Sequence, residues 1–336
     1  MKKETLITIS ERTGFSITTV SRVLSGKASK YRICEKTIKL ISEEAKQCNY
    51  VPSLLAKGLR TRKTHTIGLL VPSIENPYFA NIASIVIGEA KNAGYTVVLV
   101  DTMEEEENER TGLPSMLSRK VDGIIMVPCG KNPGYIEEID RNDTPVVLID
   151  RCFDDTTLSY VCTDNYRGGY DATEYLIDNG HRNILCIRGV PYSMPARERE
   201  RGYCDALLEH GLSEGMRIVG SDFSIRNGYL ETKLALNGAN RPTAVFAMSN
   251  TILLGAIKAI RESSLRIPDD ISIISFDNNT YLDFLDPAIT RVSQPINDMG
   301  TLAIQILIHR MEEPPTSRTQ IQLPPQLIVC NSVRHI

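Results

Sequence analysis

No run of about 18 apolar residues occurs in the 336-residue chain, so the sequence offers no membrane-spanning helix. The lysines at its start do not lead into an apolar signal segment, and polar, cappable sequence follows directly, which predicts a cytoplasmic protein. The eight cysteines (Cys34, Cys48, Cys129, Cys152, Cys162, Cys186, Cys204 and Cys330) are scattered, with no C-x-x-C and no histidine at zinc-finger spacing. Buried thiols are their expected role. Missing too are H-E-x-x-H, a Walker loop and G-x-S-x-G, and Gly168-Gly169 falls inside a helical period where it cradles nothing. Neither an enzymatic activity, a cofactor nor a metal is expected. The acids from Glu104 to Glu107 read as the solvated start of a helix, where the helix dipole favours negative charge.

What is present is a division of charge. Residues 1 to 65 carry fourteen Lys and Arg against five Asp and Glu, whereas the remainder carries twenty-four against thirty-six. The net −3 therefore hides a head of +9 on a body of −12, the asymmetry that phosphate neutralisation asks for. Within the head, Thr8 and Glu11 form a T-x-x-E capping box for a short helix, Gly14 supplies a turn, Ser16 caps a second helix and Gly26 closes it. Val20, Val23 and Leu24 bury one face of that second helix and leave Ile17, Thr18, Ser21 and Arg22 to meet a partner. A third helix has Ile33, Ile38, Ile41 and Ala45 as its apolar positions, closing a small core. Two short helices around a glycine suit a helix-turn-helix, and equally a generic bundle.

From Thr66 onward, apolar runs of strand length alternate with segments of helical period, the mark of a parallel sheet with crossover helices. Strands are predicted at Thr66–Val71, Thr96–Asp101, Gly123–Val127, Val146–Ile149, Ile184–Ile187, Ala244–Ala247, Ile271–Ser275 and Ile289–Val292. These are too many for one sheet and fit two doubly wound lobes with a ligand cleft between them. Between head and body, Tyr50 to Lys63 is too apolar for a plain linker and reads as a short helix begun near Pro52 and Ser53. Gly58 weakens it by roughly 1 kcal/mol relative to Ala.

In its motifs, and in their order and spacing, the chain resembles the LacI/GalR family of bacterial transcription regulators over essentially its full length. The head contributes Thr19-Val-Ser-Arg-Val-Leu-Ser-Gly26, and the hinge Tyr50-Val-Pro52 with Ala56-Lys-Gly-Leu59. The body contributes Ile67-Gly-Leu-Leu-Val-Pro72, Asn76-Pro-Tyr-Phe79, Val121-Asp-Gly-Ile-Ile125 and Pro145-Val-Val-Leu-Ile-Asp-Arg151. Further on come Asp164-Asn165, Gly180-His-Arg182, Arg199-Glu-Arg-Gly-Tyr203, Ile267-Pro268, Ser275-Phe-Asp277 and Gln294-Pro295.

The resemblance implies an α/β protein with an N-terminal helix-turn-helix bundle and a periplasmic-binding-protein-like two-lobed core of doubly wound parallel sheets. It divides the chain into a DNA-binding domain over 1–50, a hinge helix and linker over 51–64, and an effector-binding core over 65–336. One lobe would comprise 65–163 with 293–322, the other 164–292 with 323–336. It also implies a homodimer on a palindromic operator in double-stranded DNA, controlled by a small-molecule effector. Ile17, Thr18 and Arg22 would read base edges in the major groove; Arg22 suits a bidentate pair with guanine or, alternatively, a phosphate. Ser16 and Ser21 would position phosphates, Leu59 would wedge into the minor groove, and Ala56 and Lys57 would accompany it. Tyr78, Phe79, Asp164, Arg199, Ser249 and Asp277 would line the effector cleft, with Phe79 facing the ligand more than Tyr78. Asp164 equally suits a helix cap.

Some residues depart from the family pattern. Ser249-Asn250 stands where many relatives have Asn-Asp, Asn278 replaces a second Asp, Cys330 replaces an Arg, and residues 27 to 35 form a longer connection whose Lys30 and Arg32 would add phosphate contacts. No leucine heptad follows Ile336, which predicts a dimer rather than a tetramer. A repressor released from DNA by a sugar or sugar derivative is the favoured expectation. A purine- or nucleoside-corepressed regulator and an exported sugar-binding protein without a DNA role are the alternatives.

Overall fold

A computed structural model describes residues 5–50, 63–142, 144–313 and 318–336. The hinge residues Ala56, Lys57, Gly58 and Leu59 lie outside them. The described chain divides into two compact units, one ending at Thr64 and the other starting at His65.

The first unit holds α1 (Leu6–Thr13), α2 (Ile17–Leu24) and α3 (Glu35–Gln47). One core joins them, built on Ile9, Val20, Val23, Ile41 and Ala45, with Ala28 from the loop before α3. The capping box sits one turn earlier than the sequence predicts. Thr5 is the cap, its hydroxyl accepting from the Thr8 amide while the Thr8 hydroxyl accepts from the Thr5 amide, each at 3.3 Å. Starting at Leu6 makes Ile9, the buried residue of α1, fall at the core. Gly14 ends α1 at φ 73°, a conformation that only glycine adopts without strain. Ser16 caps α2 through the Thr19 amide (3.1 Å), and Gly26 (φ 71°) follows its last turn.

The second unit contains two six-stranded sheets. In the first, β1 (Thr66–Val71), β2 (Thr96–Asp101), β3 (Gly123–Met126), β4 (Val146–Ile149) and β5 (Ser159–Thr163) run parallel in the order β2-β1-β3-β4-β5. The second repeats that order with Arg217–Val219, Ile184–Ile187, Ala244–Ala247, Ser272–Phe276 and Thr290–Ser293. Gln320–Leu323 adds a parallel edge to the first sheet and Gln326–Ile328 an antiparallel edge to the second. The chain thus passes between the sheets three times.

Helices cover both faces of each sheet, so the inner strands are apolar without alternation and almost wholly buried, as in β3 and β4. The helices that lead away from the cleft are Pro77–Asn92 after β1, Asn165–Asp178 after β5, Met194–Glu209 after Ile184–Ile187, and Asn250–Glu262 after Ala244–Ala247. Gly168 and Gly169 have a packing role. A Cβ on Gly169 would lie 2.3 Å from the Arg199 carbonyl oxygen, so this glycine lets Asn165–Asp178 press against the helix that carries Arg199.

Three expectations change. Cys129, Cys162 and Cys186 are buried, but Cys34 is exposed and the other four are half-buried; all eight are free thiols. Glu104 is not simply solvated: it sits at φ 58° before the helix start and forms a two-pronged pair with the Arg151 guanidinium (2.8 and 2.9 Å). Asn278 and Cys330, both flagged as departures, meet at one guanidinium, since Arg291 donates to Asn278 Oδ1 (2.8 Å) and approaches Cys330 Sγ (3.6 Å).

Candidate functional site

In a parallel doubly wound sheet the residues just past the strand C-termini face the ligand crevice. Both sheets obey this rule at one place. Asn76, Tyr78 and Phe79 follow β1 and Asp150 and Arg151 follow β4, while Arg199, Phe223, Ser249, Asp277 and Gln294 follow successive strands of the second sheet. Together they border a space of about 20 Å³, room for about one water molecule. The lobes are closed on each other: Asn250 Nδ2 donates to Asn76 Oδ1 (3.3 Å) and Asn81 Nδ2 to Asn279 Oδ1 (3.4 Å). At the outer rim Arg197 Nη2 reaches both oxygens of Asp154 (2.6 and 2.8 Å), and Lys131 lies over the Tyr192 ring, 4.5 Å from its centre. These rim residues border a second cavity of about 80 Å³.

The two aspartates are built alike. Asp150 and Asp277 each stand one residue beyond a central strand on left-handed backbone, at φ 67° and 78°. Such strain is retained where the fold over-determines it, and here it turns both carboxylates into the cleft border. Tyr78 donates its hydroxyl to Asp150 Oδ1 (2.6 Å). Asp277 accepts from the Asn250 amide (3.1 Å) and from Gln294 Nε2 (2.7 Å). Burial raises both carboxyls above the usual aspartate range, opposed by Arg151 at Asp150 and by Arg199 at Asp277. Burial likewise lowers Arg199 below the usual guanidinium range.

Arg199 is fixed on three sides. Nε donates to Asn165 Oδ1 (2.8 Å), Nη1 donates to the Met248 carbonyl (2.6 Å), and the guanidinium lies 3.6 Å from the Phe276 ring centre. Nη2 makes no hydrogen bond among the described residues. Arg151 sits between two aromatic rings of different lobes, 5.4 Å from the centre of Phe79 and 5.5 Å from that of Phe223. Gln294 Oε1 and Asn250 Oδ1 are buried without a hydrogen-bond partner.

The structure thus brings Tyr78, Phe79, Arg199, Ser249 and Asp277 together, and Tyr78 borders the space as Phe79 does. Asp164 does not join them: its carboxylate caps Asn165–Asp178 through the Arg167 amide (2.9 Å). The cleft residues that sequence reasoning passed over are Asn76, Asp150, Arg151, Pro195, Phe223 and Gln294. Four of them stood in the quoted motifs without a role. Their common signal is a polar residue immediately after an apolar strand or at the first cap of the helix that follows.

In the first unit Ile17 and Thr18 are exposed on α2, Ile17 by 46%, while Ser21 and Arg22 are half-buried. Ser16 spends its hydroxyl on the cap. Lys27, Lys30 and Arg32 are exposed in the following loop, and the Arg22 guanidinium lies over the Tyr31 ring, 3.8 Å from its centre.

Residues 173–333 match the family model of a periplasmic binding protein-like domain. Over 328 residues the chain is 32% identical to the ribose operon repressor of Escherichia coli strain K12, covering 96% of this chain and 98% of that one. The chain belongs to the LacI family of transcriptional repressors. It is correspondingly a DNA-binding repressor with an effector-binding domain, not an enzyme. Another LacI-family relative, the transcriptional repressor PurR of Pasteurella multocida, is 33% identical over 333 residues, covering 98% of each chain. The fold is shared with the Lac repressor dimer bound to operator and an anti-inducer, at a TM-score of 0.89 and 24% identity over 99% of this chain and 100% of that one. Among the described residues no helix is long and apolar enough to cross a membrane.

Proposed function

We propose that this repressor binds a palindromic operator as a homodimer and is released from it when a neutral monosaccharide occupies the cleft, likeness to a ribose operon repressor favouring a pentose. The observation that carries the ligand class is charge balance in a confined space. Asp150 and Asp277 oppose Arg151 and Arg199, all at most 5% exposed, and Glu104 already satisfies Arg151. Adding an uncompensated phosphate there would bury a further charge at high cost, whereas hydroxyl groups can both donate to the carboxylates and accept from the guanidiniums. The orphaned Gln294 Oε1 and Asn250 Oδ1 add acceptors, and Phe79 and Phe223 offer apolar faces for the C–H side of a sugar ring. With about 20 Å³ between the closed lobes, entry requires them to part, and ligand contacts with both lobes then favour closure.

Dimerisation follows from reach: one short reading helix contacts too few base pairs for specificity, and a two-fold dimer doubles them on a palindrome. In this reading Ile17, Thr18 and Arg22 contact bases, Ser16 and Ser21 phosphates, and Leu59 with Ala56 and Lys57 the minor groove. Likeness to the transcriptional repressor PurR favours a second reading, a purine corepressor. A thermal-shift screen of D-ribose, other pentoses, hexoses, sugar phosphates, nucleosides and purines separates the two. A pentose is expected to stabilise the protein, and a response to purines alone overturns the sugar assignment.

A further inference from the structure

We propose that Tyr31 is a positioning residue for DNA reading, its ring holding the Arg22 guanidinium in the orientation that reaches a base edge. The proposal rests on the reading of α2 as the helix that enters the major groove. Reach and order are mismatched at Arg22. Arg22 lies in the last turn of α2, between the buried Val20 and Val23, and nothing on its own helix restrains its long side chain. Its guanidinium makes no hydrogen bond or ion pair among the described residues. What it does have is the Tyr31 ring, 3.8 Å from the guanidinium carbon to the ring centre, well inside the range of about 6 Å over which a cation is held by an aromatic face.

The ring is 45% exposed, but the backbone that carries it is anchored. After Gly26 the chain folds back on α2 through the Lys27 amide to the Arg22 carbonyl (2.9 Å). The Tyr31 and Ile33 amides both donate to the Ala28 carbonyl (3.2 and 3.0 Å), and the Arg32 amide donates to the Ser29 carbonyl (3.1 Å). Ala28 is 8% exposed and belongs to the core of the unit, while Arg32 takes a left-handed φ of 51° that closes the turn. The 27 to 35 connection therefore builds a hydrogen-bonded platform, with Tyr31 presented against Arg22.

Stacking and base reading do not compete for the same atoms. The ring takes the flat face of the guanidinium, and a bidentate contact to guanine O6 and N7 uses the N–H groups at its edge. A guanidinium already held in plane loses less freedom on binding, so the stack adds to recognition without touching DNA. An exposed cation–π contact of this kind corresponds to about a two- to fivefold change in an equilibrium constant.

The test uses the full chain. A preferred site is enriched from randomised duplex DNA, and discrimination is measured as the affinity ratio between that site and copies with single guanines replaced. Tyr31→Leu is expected to lower this ratio about two- to fivefold, Tyr31→Phe to retain it, and Tyr31→Leu to have no further effect in an Arg22→Ala background. If Tyr31→Leu costs the same with or without Arg22, or if Tyr31→Phe is as damaging as Tyr31→Leu, the positioning role is overturned while the DNA-reading assignment stands. If Arg22→Ala leaves discrimination intact, or no site is enriched at all, both the positioning role and the assignment of α2 fall.

Discussion

Replacing Arg199 by methionine separates the chemistry of the cleft from its shape. Methionine retains much of the length and apolar stem but removes every donor. Nη2 is the donor left for a ligand hydroxyl, and a charge-assisted hydrogen bond of that kind contributes about 1.5–3 kcal/mol, so the sugar should bind about 10- to 150-fold more weakly. The same change leaves Asn165 Oδ1 and the Met248 carbonyl without Arg199, each costing about 1–3 kcal/mol if left unsatisfied. Relief of the buried guanidinium's desolvation offsets part of this, so a net loss of a few kcal/mol and a Tm lower by about 2–4 °C for each of them is expected. Isothermal titration with D-ribose reads the first effect, thermal unfolding the second, and operator binding without sugar should be nearly unchanged. A variant that unfolds earlier but binds the sugar with wild-type affinity refutes the assignment of Arg199 as a ligand donor.

Other parts of the core make separate predictions. Glu109 is buried, receives the Cys129 amide (2.6 Å) and the Tyr135 hydroxyl, and is raised by burial from 4.5 to about 7 despite the opposing amides of Cys129 and Gly130. The unfolded chain loses this proton first as pH rises, so stability should fall by about 3 kcal/mol between about pH 4.5 and pH 7 and then level off. Urea titrations across that window should show this contribution vanish in Glu109→Gln, and identical pH slopes for the two proteins would contradict it. Gly169→Ala forces a methyl group to within 2.3 Å of the Arg199 carbonyl, and should cost about 1–3 kcal/mol in chemical denaturation together with a loss of sugar affinity as the helix shifts. An Ala variant of full stability and affinity would show that the two helices separate freely. Arg197→Ala removes the rim contact to Asp154 and should raise the sugar's dissociation rate about two- to fivefold, at about 0.5–1 kcal/mol for a partly exposed pair. Stopped-flow release measurements showing no change would mean that the rim does not hold the lobes closed.

The inner strands were legible because helices cover both sheet faces, so Leu69, Leu70, Ile124 and Ile125 form runs without alternation. The edges were not. Arg217–Val219 has three half-buried residues, and Gln320–Leu323 alternates exposed and half-buried positions, because an edge strand packs on only part of its surface. Ser159–Thr163 begins with a buried polar residue that breaks the apolar run. At the cleft, Arg199 and Asp277 were found through motif resemblance, whereas Asp150 needed the observation that both sheets place an aspartate one step beyond a strand. Phe223 carries no local signal: it reaches the cleft from a loop, packing on the core of its own lobe and beside Gly189, and the approach of the lobes adds Arg151. Thr5 was passed over because Thr8 and Glu11 have the spacing of a capping box, while the core position of Ile9 fixes the earlier start.

The most direct test of a ligand-controlled repressor is a gel-shift titration of the full chain on its selected site at moderate salt, with and without D-ribose. A clear preference for that site over competitor DNA is expected, with a weaker complex when the sugar is present. No preference, or a complex indifferent to sugars and strengthened only by a purine, would contradict it.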